Sequence, residues 1–341
     1  MKAVVLVGGE GTRLRPITET MPKPLVPLMD RPSLDHVLDH LASHGVHEVV
    51  LSSSYLEATF HAFIQARHGD PAITWITETE PLGTGGAIVS ALHALDTREA
   101  FLALNGDILT DLDLTAMMAL HRDREAAATI ALHHVEDARP YGLVPMDADG
   151  RVLEFREKPD ELVPGDINAG TYVLEPDALE GWEPGRTLSI EREIFPALIR
   201  QGRPLYGFVS DAYWMDLGTP EKYLRAHVDL LDGRVKGHPA YAAPFVAPGG
   251  SVDEDAVLGP HVVAGPGVRI GSGAEVQASV LHELVEVGEG SVVHGSILGP
   301  RVVIGRGARV TDSVLGDGAR VEAGVTLHAT KVAPGERVHS P

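Results

Sequence analysis

Three cations gather beside a glycine turn at the amino terminus. The segment Gly8-Gly9-Glu10-Gly11-Thr12-Arg13-Leu14-Arg15-Pro16 follows the apolar run Ala3–Val7, and Pro22-Lys23-Pro24 comes a few residues later. Glycines let a backbone turn sharply and approach a ligand, because no Cβ intervenes. Successive N–H groups in such a turn make an anion-binding concavity. Arginine adds planar, bidentate contacts to phosphate oxygens. A buried strand, a glycine turn, Arg13, Arg15 and Lys23 together point to a phosphorylated ligand. The spelling excludes two common phosphate loops. No lysine follows the second glycine as a P-loop requires, and Leu14 stands where a dinucleotide fingerprint needs its third glycine.

Further residues suited to chemistry follow along the chain. Asn105-Gly106-Asp107 ends the run Phe101–Leu104, so Asp107 falls at the carboxyl end of a strand, where open α/β sheets bind ligands. Trp214-Met215-Asp216-Leu217-Gly218-Thr219-Pro220 sets a second carboxylate before a capped helix. Two such carboxylates could share one Mg²⁺, which takes oxygen ligands and keeps waters and substrate phosphates; either alone would more often be a turn former. Glu80-Pro81-Leu82-Gly83-Thr84-Gly85-Gly86-Ala87 opens a helix with glycines. Glu157-Lys158-Pro159, Ile167-Asn168-Ala169-Gly170 and Tyr141-Gly142 offer a cation and hydrogen-bonding groups suited to a phosphate and to hydroxyls.

Taken in this order, the motifs resemble the signature of sugar-1-phosphate nucleotidyltransferases. Ile167–Tyr172, Ser189–Pro196 and Tyr213–Pro220 resemble the mannose-1-phosphate guanylyltransferase branch most. Gly85-Gly86 stands where many relatives have Ala-Gly. The resemblance implies that Leu6, Gly8, Gly9, Gly11, Thr12, Arg13 and Lys23 bind the nucleotide, with Arg13 and Lys23 on its triphosphate. It implies that Gly83 and Gly85 wall the base and that Glu78 faces it. A carboxylate can accept from guanine N1–H and N2–H₂, whereas an exposed glutamate beside Glu80 is the other reading of Glu78. Asp107 and Asp216 would hold Mg²⁺, with Arg13 and Lys23 completing the catalytic set, and Gly142, Glu157, Lys158 and Asn168 would hold the sugar phosphate. The implied reaction is GTP plus mannose 1-phosphate giving GDP-mannose and pyrophosphate. Alternatives are another sugar or cyclitol phosphate, another base (a glucose-1-phosphate thymidylyltransferase, for instance), or a regulatory subunit that binds nucleotide sugar without turnover.

The elements that must position these residues are legible in outline. Strands are expected at Ala3–Val7, Glu48–Ser52, Ile73–Thr77, Phe101–Asn105, Thr129–His134, Tyr172–Leu174 and Leu205–Val209. Helices are expected at Ser33–Ser43, Glu57–Arg67, Gly85–Leu95, Leu114–Asp123, Glu191–Gln201 and Pro220–Leu230, with caps at Ser33, Thr84, Ser189 and Thr219. This alternation indicates an α/β, Rossmann-like domain with a mainly parallel sheet over residues 1–232. A linker is expected over 233–250. From 251 to 341 aliphatic or Ala anchors recur every sixth residue, as at Leu258, Ala264, Ile270 and Val276, and again at Leu298, Ile304 and Val310, with one shortened step before Leu315. Hexapeptide repeats mark a parallel β-helix, and this pattern resembles the left-handed form. His282–Val287 breaks the rhythm and is expected to be a loop or bulged coil. The tail is expected to assemble a homo-oligomer; the rival reading makes it an acyltransferase using His261, His294 or His328.

Composition narrows the field. The 341 residues are 44% hydrophobic, contain no cysteine and carry a net charge of −20. Mean hydropathy is +0.02. Disulfides and thiolate metal sites are excluded, and the acidic balance argues against nucleic acid or an anionic membrane as partner. No apolar run is long enough for a membrane span, and the start lacks a signal-peptide core, so a cytoplasmic protein is expected.

Overall fold

The computed structural model describes residues 1–53 and 56–339; the side chain of Glu157 also lies outside the described residues. The chain forms two compact units. One comprises Met1–Gly9 and His36–Trp214, the other Glu10–Asp35 and Met215–Pro341.

The first unit is built on a sheet of β1 (Lys2–Leu6), β2 (Glu48–Ser53), β3 (Ala72–Thr77), β4 (Phe101–Asn105), β5 (Ala128–Val135), β6 (Gly142–Leu143), β7 (Arg156–Glu157), β8 (Gly165–Leu174) and β9 (Leu205–Val209). Its main path runs β7-β6-β8-β4-β1-β2-β3, with β5 and β9 joined through β8. The strands β4, β1, β2 and β3 are parallel, and β8 enters antiparallel beside β4. Ala3, Val4 and Val5 of β1 are all fully buried, as a central strand covered on both faces requires. Leu6 is level with Ser52 on one side and Asn105 on the other. The ends of β1 and β4 therefore deliver Gly8, Gly9 and Asp107 beyond one carboxyl edge. The helix Gly83–Leu95 supplies Ile88 and Ala91 to the core beneath.

Several local expectations change: Ser33 is the first residue of its helix and not its cap, and the strand expected at Tyr172–Leu174 runs over Gly165–Leu174. The helix Gly83–Leu95 starts before Thr84, so Thr84 is not its cap. The expected helix over Glu191–Gln201 begins as a π-turn, Ile190–Ile194, and becomes α-helical only at Phe195–Arg200. Pro196 has no N–H to give the carbonyl of Arg192, so an α-helical ladder cannot close there.

In the second unit, Glu10–Asp35 consists of three short 3₁₀ turns, Thr12–Leu14, Ile17–Glu19 and Lys23–Leu25, and a tight pairing of Pro27–Leu28 with Arg31–Pro32. The helix Pro220–Leu231 buries Tyr223, Ala226, His227 and Leu230, one face at helical spacing. Beyond it three parallel sheets stack coil on coil, consistent with the left-handed β-helix. Its core is Val, Ile, Leu and Ala. Register partners are 17 residues apart in all but the first coil, as in Val263 with Val280, Val280 with Ile297 and Ile297 with Val314. One step in each later coil is thus a residue short, and His282–Val287 is an ordinary corner that carries the paired strand Glu286–Val287. Buried Ser279, Ser296 and Ser313 repeat at the same interval, each hydroxyl accepting the N–H one coil on. Among the described residues, no helix is long and apolar enough to cross a membrane.

Candidate functional site

In the first unit, Gly8 and Gly9 leave open space where a Cβ would project, and Gly9 has a φ of +104° that L-residues avoid. Gly106 differs: a Cβ there would meet Val7 Cγ1 at 2.9 Å, and its N–H donates to the Leu6 carbonyl at 2.8 Å. That contact fixes the turn that carries half-buried Asp107.

The expected sugar-phosphate residues come together on neighbouring strands. Glu157 is paired with Gly142, and the Lys158 N–H donates to the Tyr141 carbonyl at 2.9 Å. Ile167, next to Asn168, is paired with Leu143. A shift of register between Asn168 and Tyr172, with Gly170 at φ +70°, lets Asn168 Nδ2 donate to the Tyr172 hydroxyl at 2.8 Å. Thr84, Tyr141, Gly142, Asn168, Ser189, Glu191 and Arg192 line one cavity. Its hub is a residue that sequence reasoning did not single out. Glu191 Oε2 accepts from Ser189 Oγ at 2.7 Å and Thr84 Oγ1 at 2.8 Å, and Oε1 accepts from the Tyr172 hydroxyl at 3.3 Å. Trp214 was likewise passed over. Its Nε1 donates to the Ala169 carbonyl at 2.9 Å, and its ring stacks on His133.

The expected base wall has a second duty. The Gly85 and Gly86 N–H groups donate to the Leu188 carbonyl, and a Cβ on Gly85 would meet the Ile190 nitrogen at 2.9 Å. The two glycines therefore answer to packing against 186–190. Gly83 sits at φ +68° with the Leu188 carbonyl 2.7 Å from where its Cβ would be. Glu78 is 8% exposed, which overturns the reading of it as a solvated glutamate. Its Oε1 accepts from Ser52 Oγ at 2.8 Å and its Oε2 from the Leu82 N–H at 3.1 Å. It clasps the end of β2 to the loop before the glycine helix.

The second unit gathers charge. Gly11, at φ +60°, opens the turn of Thr12 and Arg13, and its carbonyl accepts from Thr18 Oγ1 at 2.8 Å. Lys23 Nζ lies 3.3 Å from Asp216 Oδ1, Lys222 Nζ 3.2 Å from Oδ2 and Arg13 Nη2 3.9 Å from Oδ2. Lys222 was not anticipated. Arg15, expected beside the phosphates, pairs with Glu10 at 2.6 Å. A Cβ on Gly218 would sit 2.7 Å from both Arg13 Nη2 and Asp216 Oδ1, so any larger residue there would push these two side-chain ends aside. Burial pushes the Asp216 carboxyl up, but Lys23, Lys222 and Arg13 outweigh it and hold it below its ordinary value. The carboxylate is therefore ionised at neutral pH, a hard oxygen ligand among cations suited to polyphosphate. Among the described residues no three His, Cys, Asp or Glu cluster as a metal cage. The β-helix histidines named above are scattered: His294 and His328 are exposed, and His261 pairs with Asp232 at 3.1 Å.

Comparison with known proteins agrees with these observations. The nucleotidyl transferase family model matches residues 2–233, and the model described as the GMPPB C-terminal domain matches residues 241–341. A mannose-1-phosphate guanylyltransferase of Mycobacterium tuberculosis is 39% identical, with 84% of this chain and 80% of that one covered. Mannose-1-phosphate guanylyltransferase 1 of Arabidopsis thaliana is 38% identical, with 82% and 79% covered. The crystal structure of HddC from Yersinia pseudotuberculosis is similar with a TM-score of 0.59 and 32% identity, covering 66% of this chain and 97% of that one. A second structure of HddC, complexed with GMP-PN, is similar with a TM-score of 0.58.

Proposed function

Because the chain belongs to the nucleotidyl transferase family, we propose that it joins mannose 1-phosphate to GTP, yielding GDP-mannose and pyrophosphate. That it is a sugar-1-phosphate nucleotidyltransferase follows from the family; the base and the sugar are the proposal. The observation that carries it is the naming of relatives 38–39% identical over more than four-fifths of the chain as mannose-1-phosphate guanylyltransferases. An oxygen of the sugar 1-phosphate attacks the α-phosphorus of the nucleotide, a new P–O bond forms, and pyrophosphate leaves with the electron pair of the broken bond. The attacking phosphate is already a competent nucleophile, so positioning and charge neutralisation supply most of the catalysis.

In this reading Leu6, Gly8, Gly9, Gly11 and Thr12 line the nucleotide, and Arg13 and Lys23 neutralise its triphosphate. Glu78 faces the base with Gly83 and Gly85 beside it. Gly142, Lys158 and Asn168 hold the sugar phosphate, with Glu157 as a further partner. Enzymes of this family use a divalent metal. We assign it as Mg²⁺, which Asp107 and Asp216 would hold and which would supply Lewis-acid chemistry and a template for phosphate oxygens. The ionised state of Asp216 supports that assignment. Transfer is assigned to residues 1–232 and a structural tail to 251–341; within the expected linker 233–250, Phe245–Val246 already pairs with Val263–Ala264 of the tail. Exposed Val257 and Leu284 support self-association through the tail. The cytoplasm, where nucleoside triphosphates are kept, is the fitting compartment.

The test is pyrophosphate release across four NTPs and a panel of sugar 1-phosphates. GTP with mannose 1-phosphate should give the highest kcat/KM. Preference for dTTP or for glucose 1-phosphate overturns the proposal but leaves the reaction class standing.

A further inference from the structure

The second unit holds a buried polar cluster that the reaction does not use directly. Tyr223, His227 and His282 are each at most 2% exposed. The Tyr223 hydroxyl donates to the Pro27 carbonyl and lies 3.0 Å from His282 Nε2. A phenol has one proton. With that proton on Pro27, the hydroxyl must accept from His282, which is therefore the tautomer protonated at Nε2. His227 Nδ1 lies 2.9 Å from the Tyr223 carbonyl and so carries its proton there. The buried atoms left without partners, His282 Nδ1 and His227 Nε2, are then both bare ring nitrogens, not stranded donors. The cluster is self-consistent with both rings neutral, and burial favours that state, holding His227 at about 4 and His282 at about 3.

The cluster ties three segments together. His282 belongs to the β-helix, one residue past its strand Val280–Leu281. Tyr223 follows Lys222, the cation on Asp216. Pro27 closes the segment that carries Lys23, which is also held by Ser33 Oγ donating to the Pro24 carbonyl at 2.8 Å. We infer that His282 is a positioning residue for polyphosphate binding. By fixing the Tyr223 hydroxyl it fixes the Pro27 carbonyl, and with it the backbone that aims Lys23 at its ligand. The β-helix is thus a brace for the cation cluster as well as a structural tail. This rests on the role proposed above for Lys23.

The full chain with His282→Leu, His282→Gln, Tyr223→Phe and the double variant Tyr223→Phe/His282→Leu tests it. Steady-state pyrophosphate release gives KM for each substrate, and calorimetry gives Kd for inorganic tripolyphosphate. His282→Leu and Tyr223→Phe should each raise the GTP KM and the tripolyphosphate Kd about tenfold and leave the sugar 1-phosphate KM within about twofold. Gln keeps a donor in place of Nε2, so His282→Gln should recover most of the loss. The double variant should be no worse than Tyr223→Phe. The inference is overturned by a drop in melting temperature with both affinities intact, by equal weakening of both substrates, by no recovery with Gln, or by additive losses. If His282→Leu does not fold, Tyr223→Phe decides by the same readings. A wild type that releases no pyrophosphate with any substrate pair sinks the proposed reaction, while the tripolyphosphate measurement still judges the brace.

Discussion

Around Asp216 one carboxylate meets three cations; around Glu191 one carboxylate meets three hydroxyls. The two clusters lie in different units and suit different ligands. A triphosphate carries several charges, and ion pairing tolerates small errors of placement because Coulomb attraction falls off slowly. A sugar offers neutral hydroxyls, whose hydrogen bonds weaken steeply with distance and angle. The charged cluster can therefore supply affinity and transition-state stabilisation. The hydroxyl cluster, locked by its own bonds, can supply discrimination between sugars.

The largest expected effect breaks the charged side. Asp216→Asn removes the proposed metal ligand and the negative charge that Arg13, Lys23 and Lys222 approach. The kcat should fall about 10³-fold, the scale of losing one preorganised electrostatic group. Asp107→Asn should match it. A titration of Mg²⁺ against initial rate checks this, and near-full activity of either variant in limiting metal would falsify the shared-metal assignment. On the hydroxyl side, Glu191→Gln exchanges a charged acceptor of three bonds for a neutral one. A bond to a charged group is worth about 1–1.5 kcal/mol more than a neutral one, so losing that advantage at two of the three predicts about a thirty- to hundredfold loss in kcat/KM for the sugar 1-phosphate. The KM for GTP should stay put. If the GTP KM moves as much, the two clusters are not separate in function.

The charged side was legible in the sequence because its parts are short motifs of special residues. Gly8–Pro16, Pro22–Pro24 and Trp214–Pro220 announce a turn, a rigid lysine and a capped helix by local chemistry alone. The hydroxyl side was half legible: Gly142, Glu157, Lys158 and Asn168 sit in recognisable motifs. Glu191 lies in the recognisable stretch Ser189–Pro196, but its role there was not legible, since it comes from Thr84, 107 positions away, and that pairing is fixed only by the fold. Thr84 looked like a helix cap because its type and place fit one, yet its hydroxyl goes to Glu191. The glycines at 83 and 85, expected beside the base, also pack against the 186–190 backbone, a duty that only the fold reveals. In the β-helix, a six-residue rhythm was sought where each later coil contains one shorter step. His282, at that apparent break, links the repeat to Tyr223.

A smaller effect sharpens the contrast at the base. Glu78 is bound by Ser52 and Leu82, so it follows the hydrogen-bond rule. Glu78→Gln keeps one acceptor oxygen and turns an amide toward a donor. The preference for GTP over ATP should fall about tenfold with kcat for GTP changed less. The four-NTP comparison in wild type and variant reads it. An unchanged preference removes Glu78 from base reading and leaves it the clasp of its loop.

The smallest effect concerns the neutral groups behind the charges. Burial lowers His227 to about 4, with the Tyr223 carbonyl opposing, and lowers His282 to about 3 with help from His227; His121 in the other unit is lowered to about 4 by burial and then by Arg122. Unfolded histidine titrates near 6.5. Above that pH both states are neutral and the full stability is present. As pH falls below about 6.5 the unfolded chain takes up protons that the folded chain refuses. Stability therefore declines until pH passes the folded values near 4 and 3. Each histidine contributes a slope of about 1.4 kcal/mol per pH unit in that window. His282→Gln deletes one of the three, so between pH 7 and pH 5 the variant should lose about 2 kcal/mol less than wild type in urea unfolding. Carboxylates titrate alike in both proteins and cancel in the difference. Equal losses would mean that His282 is protonated in the folded chain, and its bare Nδ1 would then have found an acceptor.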